Sequence, residues 1–272
     1  MFATIIHIIV VLLQSLLGSV SALMLEASII HVADTIPEIS LVSYPHIPAT
    51  IITPSLTKDL SQVLELRHGG TEKPVIALTF DDGLDPDISQ EMLDILREKN
   101  VKCTFFLTGK WLVEEKELTR MIIADGHEMG NHSFNHPDFK KISGPRIRQE
   151  IQNQENTLVN EYRYLPKPYF RFPYGSKTEK ILKIIHQMGY TSIAWNIDTL
   201  DWKSTKEYIV HEALTKAENG AIIIMHLGKE NTAKALPEII DGLRQRGFEL
   251  VTISTLLEYD PSIPRPSSTK NS

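Results

Sequence analysis

Between residues 75 and 253 the chain alternates short apolar runs with segments of helical period, and that alternation leaves few architectures open. The runs are VIALTF (75–80), CTFFLT (103–108), HEMGN (127–131), YFRF (169–172), YTSIAWN (190–196), AIIIMH (221–226) and FELVTI (248–253). Runs of this length, rich in β-branched and aromatic residues, read as strands. The segments 87–99, 111–124, 145–163, 177–188, 205–217 and 233–246 place apolar residues at helical spacing. Several close on glycine, at Gly126, Gly189 and Gly247, where left-handed backbone ends a helix at little steric cost. About seven strands separated by helices predict a parallel β/α architecture. A distorted (β/α) barrel fits better than an open doubly wound sheet. Chemistry-bearing residues follow most of the strands, and a barrel gathers its βα loops at the strands' C-terminal ends.

The flanks read differently. Residues 2–22 form an apolar stretch, with no Lys or Arg before Lys58. Val20 and Ala22 have the small-residue spacing of a signal-peptidase site, which predicts a signal peptide over 1–22, cleavage before Leu23, and export to the cell envelope or beyond. The alternative is an uncleaved signal anchor, since about 20 apolar residues span a bilayer. On either reading the domain faces outward, and the only membrane contact expected is through that uncleaved segment. Residues 23–71 read as a linker or stalk with one short helix at 58–66, residues 72–258 as the catalytic domain, and residues 259–272 as a disordered tail. A net charge of −6 and a pI near 5.9 argue against a nucleic-acid partner. The single cysteine, Cys103, lies in an apolar run and reads as a buried core thiol.

Five clusters carry chemistry: TFDDG (79–83), HSFNHP (132–137), RFPYG (171–175), DTLDW (198–202) and IMH (224–226). Asp81 and Asp82 repel one another at a strand end unless a cation sits against them; alone, DDG is more often a turn. His132 and His136 are spaced to reach one ion, from one helical face or from neighbouring turns of a loop; alone, they make an ordinary surface pair. A carboxylate with two neutral imidazoles is a hydrolytic set that holds Zn²⁺ and leaves positions open. Arg171, beside Pro173 in a stiffened loop, is placed to pair with Asp81, or equally with a surface acid. His226 ends an otherwise apolar strand, and a nearby carboxylate such as Asp201 would favour its imidazolium form. His127 reads as structural.

Taken in order, these clusters resemble the polysaccharide deacetylases of carbohydrate esterase family four, the NodB-homology domain, over about residues 72–257. The resemblance implies a distorted (β/α) barrel that removes acetyl groups from polymeric N-acetylated glycans. By that resemblance Asp81 is the general base, and Asp82, His132 and His136 are metal ligands. Arg171 tethers the base, the Tyr174 backbone N–H is the oxyanion donor, and His226, tuned by Asp201, is the general acid. Trp202, Ile224 and Pro173 line the substrate pocket. The implied metal is Zn²⁺, with Co²⁺, Ni²⁺ or Mn²⁺ suiting the same donors. The expected substrate is N-acetylglucosamine in peptidoglycan, with chitin or chitooligosaccharide second and acetylated xylan third. A non-catalytic glycan-binding module is the alternative of a different class. Ile224 stands where the family usually has Leu, Leu227 where an Asp often follows the histidine, and Leu84 where Pro is frequent after DDG. None of these departures removes a reacting group.

Overall fold

The computed structural model describes residues 50–264, apart from 55 and 57. The expected signal peptide, most of the expected linker and the end of the tail lie outside the described residues. Nine strands form a single parallel sheet: β1 (Glu65–Leu66), β2 (Val75–Asp82), β3 (Thr104–Leu107), β4 (Glu128–Asn131), β5 (Tyr169–Phe170), β6 (Thr191–Ile193), β7 (Ile197–Asp198), β8 (Ile222–Leu227) and β9 (Glu249–Val251). The helices are α1 (Pro86–Glu98), α2 (Gly109–Glu114), α3 (Lys116–Ala124), α4 (Gly144–Tyr162), α5 (Glu179–Gln187), α6 (Lys206–Thr215), α7 (Glu230–Gln245) and α8 (Ile253–Glu258). Among the described residues, no helix is long and apolar enough to cross a membrane.

The sheet runs β1-β6-β5-β4-β3-β2-β8-β7 and curls into the expected distorted barrel. β9 pairs with the first part of β2, on the side opposite β8, so that Ala77 has both Ile222 and Val251 as partners. The chain itself crosses the barrel's seam. Ala194 N–H donates to Leu66 O at 2.7 Å, and two residues later Asn196 N–H donates to Ile222 O. The expected strand over 190–196 therefore stops at Ile193, and β7 begins on the other side of the seam.

Period-2 alternation sorts each strand between two environments. On β2, Ile76, Leu78 and Phe80 join the main core beneath the helices, with Met92, Leu96, Leu236 and Ile240. Val75 and Ala77 face the lumen with Phe106, Tyr169, Ile193 and Ile222. Each buried Val, Leu, Ile, Met or Phe among them contributes about 1.5–3 kcal/mol by leaving water. The lumen is plugged from below by α8, whose Ile253, Leu256 and Leu257 join that cluster. Buried Glu128 secures the plug: its carboxylate accepts from Thr104 Oγ1 at 2.7 Å and from Ser254 N–H at 3.2 Å. Burial pushes the Glu128 pKa up, against the effect of those hydrogen bonds.

Three expectations are corrected. Residues 58–66 form no helix; Glu65–Leu66 is instead a strand paired to β6, and Leu60 is buried in the lumen cluster. The barrel therefore begins inside the stretch expected to be a stalk. The segment 111–124 is two helices, because Glu115 leaves helical geometry at φ −108° and ψ 62°. The first residues of the expected tail are packed: Ile263 is buried, and Lys58 Nζ donates to the carbonyls of Asp260 and Ile263 at 2.9 Å each. Cys103 is a buried thiol, its pKa pushed up by burial.

Candidate active site

Parallel register brings the five clusters together. Asp81 is the direct partner of His226 across β2 and β8, and Asn131 pairs with Phe170, so His132 and Arg171 leave adjacent strands side by side. Arg171 N–H donates to Asn131 O at 2.9 Å. A cleft of about 500 Å³ opens at this C-terminal end, lined in part by Asp81, Asp82, His132, His136, Tyr174 and His226.

Arg171 is fully buried beneath it. Its Nη1 donates to Asp81 Oδ1 and to Thr79 Oγ1, both at 2.7 Å, and its Nε donates to Ile193 O at 2.9 Å. The guanidinium also lies over the Phe106 ring, 4.2 Å from the centroid. Asp81 is buried as well, and a buried carboxylate is stable as an anion only with such a partner. Thr79 went unnoticed in the sequence although it lies two residues before Asp81, on the same face of the strand.

Asp82 ends the strand with φ +71°, and Gly83 follows at +85°. This left-handed pair turns the second carboxylate toward the histidines. Asp82 Oδ1 lies 3.2 Å from His132 Nε2 and 3.0 Å from His136 Nε2. Burial opposes its ionisation, but hydrogen bonding and attraction from the two imidazoles outweigh that and hold its carboxyl well below the usual range. His132 and His136 are presented by a loop, not a helix; Ser133 and His136 both have positive φ, and Ser133 Oγ accepts from His136 N–H at 3.1 Å. Glu150 of α4, buried, holds that loop by accepting from the backbone N–H groups of Phe134 and Asn135 at 3.1 and 2.7 Å. Asn135 Nδ2 and Arg146 Nη2 also reach its other oxygen, at 3.0 and 2.6 Å, but the backbone contacts that hold the loop leave no mark in the sequence. Non-glycine residues with positive φ gather around the cleft, at Asp82, Ser133, His136, Tyr174 and Leu200, and such strain persists only where surrounding structure enforces it.

The donor set fits a divalent ion. Asp82, His132 and His136 offer ligand atoms all within 4.8 Å of one another. His132 Nδ1 lies 2.9 Å from Arg171 O, which turns Nε2 toward Asp82 as the ring nitrogen that would meet a bound ion. One carboxylate and two imidazoles leave the remaining coordination positions open.

On the other wall, Asp201 Oδ1 lies 2.6 Å from His226 Nδ1, while its Oδ2 accepts from His226 N–H at 2.7 Å and from Thr232 Oγ1 at 2.6 Å. Burial would lower the His226 pKa, but the Asp201 hydrogen bond and charge, with Asp81 and Asp82 beyond, raise it to about 9. Thr232, one helical turn into α7, is a partner the sequence did not reveal. Tyr174 sits at φ +57°, its ring edge-on to His136 at 4.5 Å. Trp202 lines the cleft and is 56% exposed. Ile224 and Pro173 are buried and do not line it; by strand alternation Ile224 lies on the same face as His226, two residues below. Trp195, Asp198, Phe172 and Lys229 line the cleft without having been singled out, and Leu84, noted only as a departure after DDG, lines it too. His127 is structural, as expected: its Nδ1 accepts from Cys103 N–H at 3.2 Å, and burial lowers its pKa to about 4.

The family description for polysaccharide deacetylases matches residues 68–193. Over 195 residues the chain is 32% identical to a peptidoglycan-N-acetylglucosamine deacetylase of Bacillus cereus, covering 70% of each chain. The chain belongs to the polysaccharide deacetylase family. It is also 29% identical over 222 residues to the peptidoglycan-N-acetylmuramic acid deacetylase PdaA of Bacillus subtilis, covering 79% of this chain and 84% of that one. It spans 65% of the length of the Bacillus subtilis protein YlxY, at 31% identity over 208 residues and 76% of this chain. Among solved structures it resembles a peptidoglycan N-acetylglucosamine deacetylase, with a TM-score of 0.69 and 29% identity over 73% of this chain and 95% of that one. It also resembles a pseudoenzyme of carbohydrate esterase family four from Bacillus anthracis, with a TM-score of 0.67 and 30% identity over 71% and 68%.

Proposed function

We propose that this chain is an exported, metal-dependent deacetylase that hydrolyses the N-acetyl group of N-acetylglucosamine units in a cell-wall polysaccharide, with peptidoglycan as the polymer and acetate as the product. One observation carries the reading. A carboxylate held by a buried arginine and an imidazole held by a buried carboxylate face each other across adjacent strands, Asp81 opposite His226, beside a cluster of three ligand-type side chains. Asp82, His132 and His136 would hold the divalent ion, Zn²⁺ by preference with Co²⁺, Ni²⁺ or Mn²⁺ also suited, which when bound supplies Lewis-acid polarisation of the acetamide carbonyl.

The chain's own residues do the rest. Asp81, oriented by its pairing with Arg171, accepts the proton of the attacking water. The Tyr174 backbone N–H, set by the positive φ, donates to the oxygen that gains charge, a contact typically worth about 3 kcal/mol. His226, kept as an imidazolium by Asp201, hands its proton to the departing sugar nitrogen, which is a poor leaving group otherwise. Trp202 offers an apolar face to the substrate, with Ile224 and Pro173 packed beneath the site.

The test is acetate release by the full-length, metal-loaded chain from purified peptidoglycan sacculi, with Asp81→Asn as control and chitooligosaccharide in parallel. Release from sacculi that the control abolishes supports the reading. Release from chitooligosaccharide alone moves the substrate, and release from neither, by a metal-containing protein, places this chain with the pseudoenzyme it resembles.

A further inference from the structure

The cleft carries positive charge that the deacetylation chemistry does not use. Lys229 follows Gly228 out of β8 and forms part of the cleft wall. On the neighbouring loop, Lys203 lies over the Trp202 ring, its Nζ 4.7 Å from the centroid, and Trp202 lines the same cleft. The two loops are tied together. Asn231 Nδ2 donates to Ser204 O at 2.9 Å, and Thr232 Oγ1 donates to Asp201 Oδ2 at 2.6 Å. Both segments therefore belong to the His226 side of the site, where the sugar nitrogen departs, with Lys229 in the cleft wall and exposed Lys203 bordering it through Trp202.

Among the described residues, neither ammonium has a carboxylate within ion-pair distance, whereas nearby lysines are matched: Lys206 with Glu238 at 2.9 Å, and Lys234 with Glu230 at 2.5 Å. The carboxylates of the site are engaged elsewhere, Asp81 with Arg171, Asp82 with the two imidazoles and Asp201 with His226. Asp198, which also lines the cleft, accepts from Leu200 N–H at 2.9 Å. In a protein of net charge −6, one unmatched cation in the wall of a substrate groove and a second, exposed one against a Trp ring of that wall favour an anion that arrives with the ligand, because attraction in a partly enclosed groove is screened less than on open surface. A neutral N-acetylglucosamine polymer offers no such anion. A wall glycan does, through a lactyl carboxylate on alternate sugars or through the peptide joined there.

Resting on the deacetylase reading above, we propose that Lys229 and Lys203 form a subsite for a carboxylate of the glycan, beside the sugar that loses its acetyl group. The subsite makes this chain a reader of acidic glycan strands.

Binding tests this without turnover. Calorimetry on the full-length chain carrying Asp81→Asn would compare a neutral N-acetylglucosamine tetramer, a peptide-stripped wall tetrasaccharide with free lactyl carboxylates, and the same tetrasaccharide bearing its peptides. The stripped tetrasaccharide should bind about fivefold to tenfold tighter than the neutral one at low salt. The gap should close at high ionic strength and in the Lys203→Ala/Lys229→Ala double variant, and persist in Lys229→Arg. A gap seen only with the peptide-bearing tetrasaccharide assigns the carboxylate to the peptide. Equal binding of all three oligomers, or a preference that the double variant retains, overturns the subsite. Failure of the unsubstituted chain to release acetate would count against the deacetylase reading alone, since the binding comparison stands apart from it.

Discussion

Asp81 and Arg171 are both buried and 2.7 Å apart, so each takes the other as its charge partner away from water. Asp81→Asn removes the charge but keeps the shape. Metal content should hold while turnover falls at least about 100-fold, the loss expected of a missing base, read by metal analysis and acetate release on one preparation. Asp82→Ala should instead lose metal and activity together, because its Oδ1 is the atom within 3.2 Å of both imidazoles. His226 gives the pH dependence. Its pKa is raised from 6.5 to about 9, so the imidazolium persists through neutrality, and activity should decline as pH rises through about 9. Asp201→Asn should move that alkaline limb to lower pH, visible in a kcat/KM profile. The stability sign follows from the same shift: the contribution is complete below 6.5 and is lost as pH climbs through about 9.

At the scale of elements, the site depends on turns that place each strand's last residue. Gly228 carries β8 into α7 at φ +83°, and a Cβ there would meet Asp85 N at 2.6 Å and Asp85 O at 2.8 Å. That backbone belongs to the N-cap of α1, where Asp85 accepts from Asp87 and Ile88 N–H, so it has little freedom to shift. Gly228→Ala should cost about 2 kcal/mol or more, read by denaturant unfolding, and should weaken metal retention because the Asp82 turn lies against the same segment. Most of these elements were legible as periodicity. β2, β3, β4 and β8 form where alternation or an apolar run marked them. β1 and β7, each only a residue pair, were not. β5 is as short but lies in the aromatic run YFRF, whereas β1 and β7 lie outside any such run and exist because neighbouring strands offer unpaired edges. The break at Glu115 escaped for the opposite reason: helical period continues across it, and packing of Trp111, Leu112, Leu118 and Ile122 into one core turns the chain there.

For the whole molecule, the barrel's extent is set by closure. β1 covers the outer edge of β6, Leu60 fills the lumen, and Lys58 holds the end of the chain through Asp260 and Ile263. A chain starting at residue 72, the boundary that periodicity suggests, should unfold at a clearly lower temperature than one starting at residue 50, measured by thermal denaturation at equal metal loading. Equal melting temperatures would show that the leading segment is an accessory.

Local order, chain sequence and residue chemistry determined the β/α pattern, the five clusters and the roles their side chains are suited to, because strand period, helix period and ligand chemistry are properties of neighbouring residues. Tertiary structure alone decided that Asp81 stands opposite His226, that Thr79, Glu150 and Thr232 hold the reacting groups in place, and that Lys229 joins Trp202, with Lys203 over its ring, in lining the cleft. Those relations join residues 25 to 150 positions apart or link side chains to backbone, and only strand register and closure of the sheet bring such groups within a hydrogen bond of one another.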